Sequence, residues 1–230
     1  MDREAFVQSL PLYGHGLVTT AALLAVSLAL GLMAALPLSL ARASARRWLS
    51  APVWLFTYVI RGTPLLVQLF LVYYGAAQFD AVRASVLWPL LSSAWFCAVL
   101  AFGINTCAYT VEIIAGAIRA TPTGEVEAAR SLGMTPATLA RRIVLPSALR
   151  RALPAYGNEV ILMLHGTSLA SVVTLLDLTG AAREVNSRWF LPFQAFVTAA
   201  LLYLALTFVL VAAFRAAESR WLRHLGTHRH

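Results

Sequence analysis

The sequence predicts an all-α integral membrane protein with about five transmembrane helices, and three observations carry that expectation. Of the 230 residues, 60% are apolar and 12% charged, whereas soluble domains keep closer to half apolar. Five apolar stretches, at about 17–40, 53–77, 86–109, 155–176 and 191–214, each reach the roughly 20 residues that cross a hydrocarbon core. The charged residues gather between these stretches instead of along them.

The N-terminal segment 1–16 carries Asp2, Arg3 and Glu4. It lacks the basic start of a signal peptide, and the apolar run behind it is too long for an h-region. The first stretch is therefore read as a retained span. Arg61, Gly62 and Pro64 interrupt the second stretch. An arginine at mid-membrane costs about 2.5–3.5 kcal/mol on insertion scales, so it needs water, a partner or a cavity. It either snorkels near the outer edge or lines a gate at the Pro64 break, since broken helices are tolerated where they line cavities or face other helices.

In the third stretch Cys97 and Cys107 are ten positions apart. At about 1.5 Å per residue that is roughly 15 Å, beyond the about 7 Å that a disulfide spans. Asn105 and Tyr109 share one helix face, which either faces a translocation pathway or binds helix to helix as polar glue. Glu112 is expected to pair with Arg119 or brace the segment that follows. That segment, 112–151, is too charged for lipid and is patterned as short amphipathic helices. Within it Gly133 has the character of a C′ residue, Thr135 of an N-cap and Pro136 of a first helical position.

The fourth stretch offers Asn158, Glu159, His165, Thr167 and Ser168. A glutamate in a span is by default a functional candidate. The alternative for Glu159 is an ion pair with Arg150 or Arg151. His165 either contacts substrate or is a hydrogen-bonded packing residue. Asp177, at the outer end of the fourth stretch, either attracts cations or terminates a helix. The fifth stretch carries no comparable signal. Behind it the tail, 215–230, contains His224, His228 and His230 without carboxylate or cysteine support, which reads as a solvated end and not as a metal centre.

All 18 basic residues are arginine, so a P-loop, which needs a lysine before its Ser/Thr, is excluded. Any ATP chemistry belongs to another chain, and neither a catalytic triad nor a pair of catalytic carboxylates stands out. The net charge of +8 does not point to nucleic acid, because the arginines lie between apolar stretches and not on one soluble face. They cluster instead on alternate connections: Arg42, Arg46 and Arg47; Arg119, Arg130, Arg141, Arg142, Arg150 and Arg151; then Arg215, Arg220, Arg223 and Arg229. Basic connections stay in the cytoplasm. An odd number of spans then leaves the N-terminus periplasmic and the C-terminus cytoplasmic.

One pattern at fixed offsets carries the most information. Glu127-Ala128-Ala129 is followed after three residues by Gly133, and after nine more by Ile143, Leu145 and Pro146. As residues alone, Glu125 and Glu127 are favourable near a helix N-terminus, and Ala128 and Ala129 are strong helix formers. The spacing E-A-A-x3-G-x9-I-x-L-P resembles the cytoplasmic signature of the membrane subunits of bacterial ABC importers. Arg61-Gly62-Thr63-Pro64, Asn105-Thr106-Cys107-Ala108-Tyr109 and Asn158-Glu159-Val160 narrow the likeness to HisM-type permeases of the polar amino acid importers for histidine, lysine, arginine and ornithine.

The resemblance runs from the first span to Arg223. It implies a type I importer core, a coupling helix presenting Glu127 and Arg130, and a reversal at Gly133. It also implies two partner ATPase subunits that hold ATP and magnesium, a HisQ-type sister permease, a periplasmic solute-binding protein and an amino acid substrate, all at the inner membrane lipid. No cofactor is expected in this chain. A permease for glutamine, glutamate, cystine or an opine such as octopine or nopaline remains the alternative within the class. An ion-driven secondary transporter or a non-transporting scaffold would have no use for the spaced loop.

Overall fold

The computed structural model describes residues 3–221, with side chains from residue 7 onward; His224, His228 and His230 fall outside them. Among the described residues every regular element is helical. Helix α1 (Arg3–Ala43) leads to α2 (Arg47–Arg61) and the short α3 (Leu65–Phe70), which continues through a π turn and a 3-10 turn to Gln78. Two single-turn helices follow, α4 (Asp80–Arg83) and α5 (Trp88–Leu91), before the long α6 (Ala94–Arg119). Next come α7 (Thr123–Ser131), α8 (Pro136–Leu139) and α9 (Leu145–Gly166), then a 3-10 segment (Thr167–Val173), α10 (Leu178–Trp189) and α11 (Pro192–Trp221).

Three helices are long and apolar enough to cross a membrane unbroken: α1 from Val7, α6 and α11. Two further crossings are bent pairs, one turning by 100° between α2 and the 65–78 segment, the other by 47° between 136–173 and α10. The expected count of about five holds when each pair is one span, but the second and fourth are not straight helices.

Several boundaries also move. Helix α1 is already formed at Arg3 and runs unbroken through residue 16. The third span starts at Ala94 and not at 86, because residues 79–93 fold into α4, α5 and their turns, and Ser93 caps α6 by accepting from the Phe96 amide at 3.4 Å. Helix α6 then runs past Glu112 to Arg119, and α9 begins at Leu145.

Helix α6 is the centre: 72% of its most apolar window is buried, against 28% for α1 and 11% for α11. It lies longest against α1, and also meets α2, α3 and α9. One core cluster joins Leu23 and Leu24 of α1, Leu69 of α3, Phe102 of α6 and Met163 and Leu164 of α9. A second packs Tyr13 of α1 against Leu178, Ala181 and Val185 of α10 and Ala195 of α11, with the Tyr13 hydroxyl donating to the Ala195 carbonyl at 2.8 Å. Small residues let α1 and α6 approach closely. A Cβ on Gly31 would lie 3.1 Å from the Gly103 carbonyl and 3.2 Å from the Cys107 nitrogen. Such close approach through small side chains is how helices associate in lipid, where water expulsion gives no drive. Cys97 and Cys107 are both buried free thiols, in keeping with their spacing.

Candidate functional site

The spaced loop folds as a helix closed by a two-bond cap. Glu125 lies in the first turn of α7, and Glu127, Ala128 and Arg130 are exposed while Ala129 is 4% exposed. The helix ends as the Gly133 amide donates to the Arg130 carbonyl at 2.9 Å and the Met134 amide to the Ala129 carbonyl at 3.2 Å. These are the paired bonds of a Schellman cap, which needs a left-handed residue at C′. Gly133 supplies it at φ 75°. Thr135 then caps α8, its hydroxyl accepting from the Thr138 amide at 3.3 Å, with Pro136 next. The three expectations for this turn are met.

Leu132, at 79% exposure, sits at the tip beside the cap. The sequence reading passed over it, although an apolar residue inside the three-residue gap before Gly133 was the available signal. Beyond α8, residues 140–144 form a π turn that contains Ile143, and Leu145 and Pro146 open α9. Proline has no amide hydrogen and its ring crowds the carbonyl four residues back, so a locally widened helix before Pro146 relieves both.

At the other break, Gln68 is the organiser. Its Nε2 donates to the Ile60 carbonyl at 2.6 Å, the Thr63 hydroxyl at 2.8 Å and the Thr63 carbonyl at 3.1 Å. It thereby satisfies backbone groups freed between Arg61 and Pro64. The Oε1 of Gln68 accepts from Asn105 Nδ2 at 3.0 Å. Asn105, 7% exposed, thereby bonds α6 to α3. Tyr109, one turn further on, lies under Arg61, whose Cζ is 5.1 Å from the ring centroid. Arg61 thus has an aromatic partner at the break, an arrangement that attracts a cation to a π face.

Glu159 is 4% exposed and faces this same region from α9. The Arg61 charge acts on it and the Thr106 hydroxyl stands beside it, but that hydroxyl is buried without a hydrogen bond of normal geometry. Among the described residues Glu159 forms no ion pair. The suggested pairing with Arg151 is not made, because that guanidinium turns to Ser147, Thr121 and the Ala117 carbonyl.

The remaining pathway candidates separate from Glu159. Asn158 and His165 are exposed on another face of α9; six residues of helix turn His165 about 120° away from Glu159. His165 Nε2 lies 3.4 Å from Thr207 Oγ1, and Ser168 donates to the His165 carbonyl at 2.7 Å. With Thr179 and Tyr203 these residues line a cavity of about 520 Å³ along α11. The expected set of Asn105, Tyr109, Asn158, Glu159, His165 and Ser168 is thus two groups, one inside the helix bundle and one outside it.

Two acids resolve as fastenings. Asp177 is fully buried and starts α10: its carboxylate accepts from the Gly180 amide at 2.9 Å, the Thr179 amide at 3.2 Å and the Tyr203 hydroxyl at 3.0 Å. It opens the helix that follows and does not terminate the one before it, because its carboxylate serves the free amides of the first turn of α10. Glu112 accepts from Arg42 Nε at 2.7 Å and Thr57 Oγ1 at 2.8 Å, with Arg119 3.7 Å away. It draws α1, α2 and α6 together, a wider role than the expected Arg119 pair.

Broken spans meeting around a buried acid, with an exposed helical loop projecting from the bundle, define a membrane transport subunit. The chain belongs to the family of binding-protein-dependent transport system inner membrane components, whose model matches residues 18–223. It is 49% identical over 211 residues to the histidine/lysine/arginine/ornithine transport system permease protein HisM of Escherichia coli (strain K12), covering 91% of this chain and 89% of that one. The nopaline transport system permease protein NocM of Agrobacterium fabrum is 44% identical over 219 residues, covering 95% and 91%. A crystal structure of an amino acid ABC transporter with histidines superposes with a TM-score of 0.84 at 34% identity, over 96% of this chain and 99% of that one. The fold is that of the type I ABC importer permeases.

Proposed function

We propose that this chain is the permease subunit of an ATP-driven importer for cationic amino acids of the histidine, lysine, arginine and ornithine class. The observation that carries the reading is its 49% identity to a permease of that transport system, sustained over 91% of the chain. The buried Glu159 supports it: it forms no ion pair among the described residues, although the Arg61 charge acts on it, and an acid held inside a membrane protein marks a functional site. Tyr109 and the Arg61 break stand beside the path, with Asn105 and Gln68 holding the break in shape. Asn158, His165 and Ser168 belong to the outer face and serve the path only if the sister permease closes over them.

Glu127, Ala128, Arg130 and Leu132 form the tip that docks on a partner ATPase, reversed at Gly133 and anchored through Ile143, Leu145 and Pro146. Two such ATPases hold ATP and magnesium; this chain does no hydrolysis. Their closure moves the loop and the spans with it, giving alternating access. A HisQ-type sister permease completes the cavity and a periplasmic binding protein delivers substrate. The loop and the C-terminal tail face the cytoplasm and the N-terminus the periplasm, as the arginine distribution requires.

The test is substrate-stimulated ATPase activity and uptake by the reconstituted complex against arginine, lysine, histidine, ornithine, glutamine, glutamate and nopaline. Stimulation confined to the four cationic amino acids, abolished by Glu159→Gln, is expected. Stimulation by nopaline alone would move the substrate class to opines, the reading that the 44% identical nopaline permease favours. No stimulation by any amino acid or opine would overturn the proposal.

A further inference from the structure

For motion of the loop to reach the spans, the loop must be fastened to them, and the contacts converge on one side chain. Arg151, near the start of α9, donates from Nη1 to Ser147 Oγ at 2.7 Å, and from Nη2 to Thr121 Oγ1 at 2.7 Å and the Ala117 carbonyl at 3.3 Å. Ala117 lies in the last turn of α6, where carbonyls lack intrahelical donors. The Thr121 amide turns to the Ile118 carbonyl, which leaves the Ala117 carbonyl to the guanidinium. A cation there also complements the negative end of the helix dipole.

On its other side the relay reaches α7. The Ser147 hydroxyl that accepts from Arg151 donates to Glu125 Oε2 at 3.3 Å, and Glu125 belongs to the first turn of α7. Arg151 Nε is buried without a partner, so the side chain is held in place by its two terminal nitrogens. Helices α6 and α9 carry Tyr109, Thr106 and Glu159.

We propose that Arg151 is the positioning residue that makes α6, α7 and α9 move as one body, so that displacement of the exposed loop reaches the Glu159 region. The inference rests on the coupling reading given above. Lysine cannot take over the role, because a single ammonium on a flexible stem does not reproduce a planar fork that bridges three acceptors.

The experiment uses the complete complex of this chain, sister permease, ATPases and binding protein in proteoliposomes. Arg151→Gln and Arg151→Lys are compared with the parent for amino acid transported per ATP hydrolysed. Spin labels at positions 120 and 131 report the distance between the end of α6 and α7, without nucleotide and with ATP. The parent is expected to keep one narrow distance in both states. Both variants are expected to broaden it and to lower transport per ATP roughly three- to tenfold.

Parent-like ratios and distances in Arg151→Gln, or full recovery in Arg151→Lys, would overturn the inference. Gly133→Asp is run beside them. If it too leaves transport per ATP unchanged, the coupling reading itself has failed; if it alone uncouples, only the role of Arg151 has. Should Arg151→Gln not assemble, the Thr121→Ala/Ser147→Ala double variant, which removes two of the three acceptors, carries the same outcomes.

Discussion

Gly31 gives the sharpest test of how this bundle is packed. It lies on α1 where that helix crosses α6, and a Cβ built there falls into the Thr106 methyl, 3.1 Å from the Gly103 carbonyl and 3.2 Å from the Cys107 nitrogen. The methyl of Thr106 has few ways to turn aside, since β-branched side chains in helices are held to few rotamers and Thr106 is 1% exposed. The backbone atoms of α6 do not yield unless the two helices separate. Overpacking of this kind costs about 1–3 kcal/mol, against which alanine returns roughly 1 kcal/mol of helix propensity over glycine.

Gly31→Ala is therefore expected to destabilise by about 1 kcal/mol net. Gly116, within α6, has nothing within 4 Å of its Cβ position, so Gly116→Ala should gain about 0.5–1 kcal/mol from propensity alone. The two alanine variants should differ by about 2 kcal/mol, which for a chain of this size is a gap of roughly 4–8 °C in thermal midpoint. The assay is the thermal midpoint of the purified complex, followed by loss of its size-exclusion peak on heating. Equal midpoints for Gly31→Ala and Gly116→Ala would refute the close crossing, and with it the placement of Thr106 beside Glu159.

Two further expectations follow from the buried fastenings. Asp177→Ala removes the cap of α10 and the charged acceptor of the Tyr203 hydroxyl, which keeps only Thr179 Oγ1 at 3.4 Å, for a loss of about 2–4 kcal/mol read as thermal midpoint; an unchanged midpoint with weaker cation uptake would instead make Asp177 an attractor of substrate. Asn105→Leu leaves only Gln68 Oε1 unpaired and should cost about 1–3 kcal/mol, whereas Gln68→Leu leaves Asn105 Nδ2 unpaired and also removes the donor shared by the Ile60 carbonyl, the Thr63 carbonyl and the Thr63 hydroxyl, and should cost more in the same measurement. The reverse order would mean that Gln68 does not organise the break.

Much of the coupling loop was legible because its signals are local. The cap at Gly133 and the N-cap at Thr135 depend on residues within six positions of one another, and each was readable before any helix was packed. Leu132 was missed for a related reason: exposure of an apolar side chain is not written in the residue, only in what fails to cover it. The substrate candidates fared worse. Spacing along α9 put Asn158, Glu159 and His165 in one stretch, but only the packing of α6 against α9 decides which of them points inward.

By itself the sequence determined the membrane class, the approximate crossings, the arginine-rich connections and the full spacing of the loop signature. Hydropathy, charge and short-range helix signals are properties of contiguous residues, so they survive without a fold. The tertiary structure decided that Glu112 joins Arg42 to Thr57 and that Asn105 serves Gln68. It also decided that Asp177 is spent on a helix cap and that Glu159 is buried without an ion pair among the described residues. Those pairings join residues up to 70 positions apart. In a bilayer every helix can bury its backbone alone, so which faces meet is set by the close fit of side chains across helices and not by any one helix.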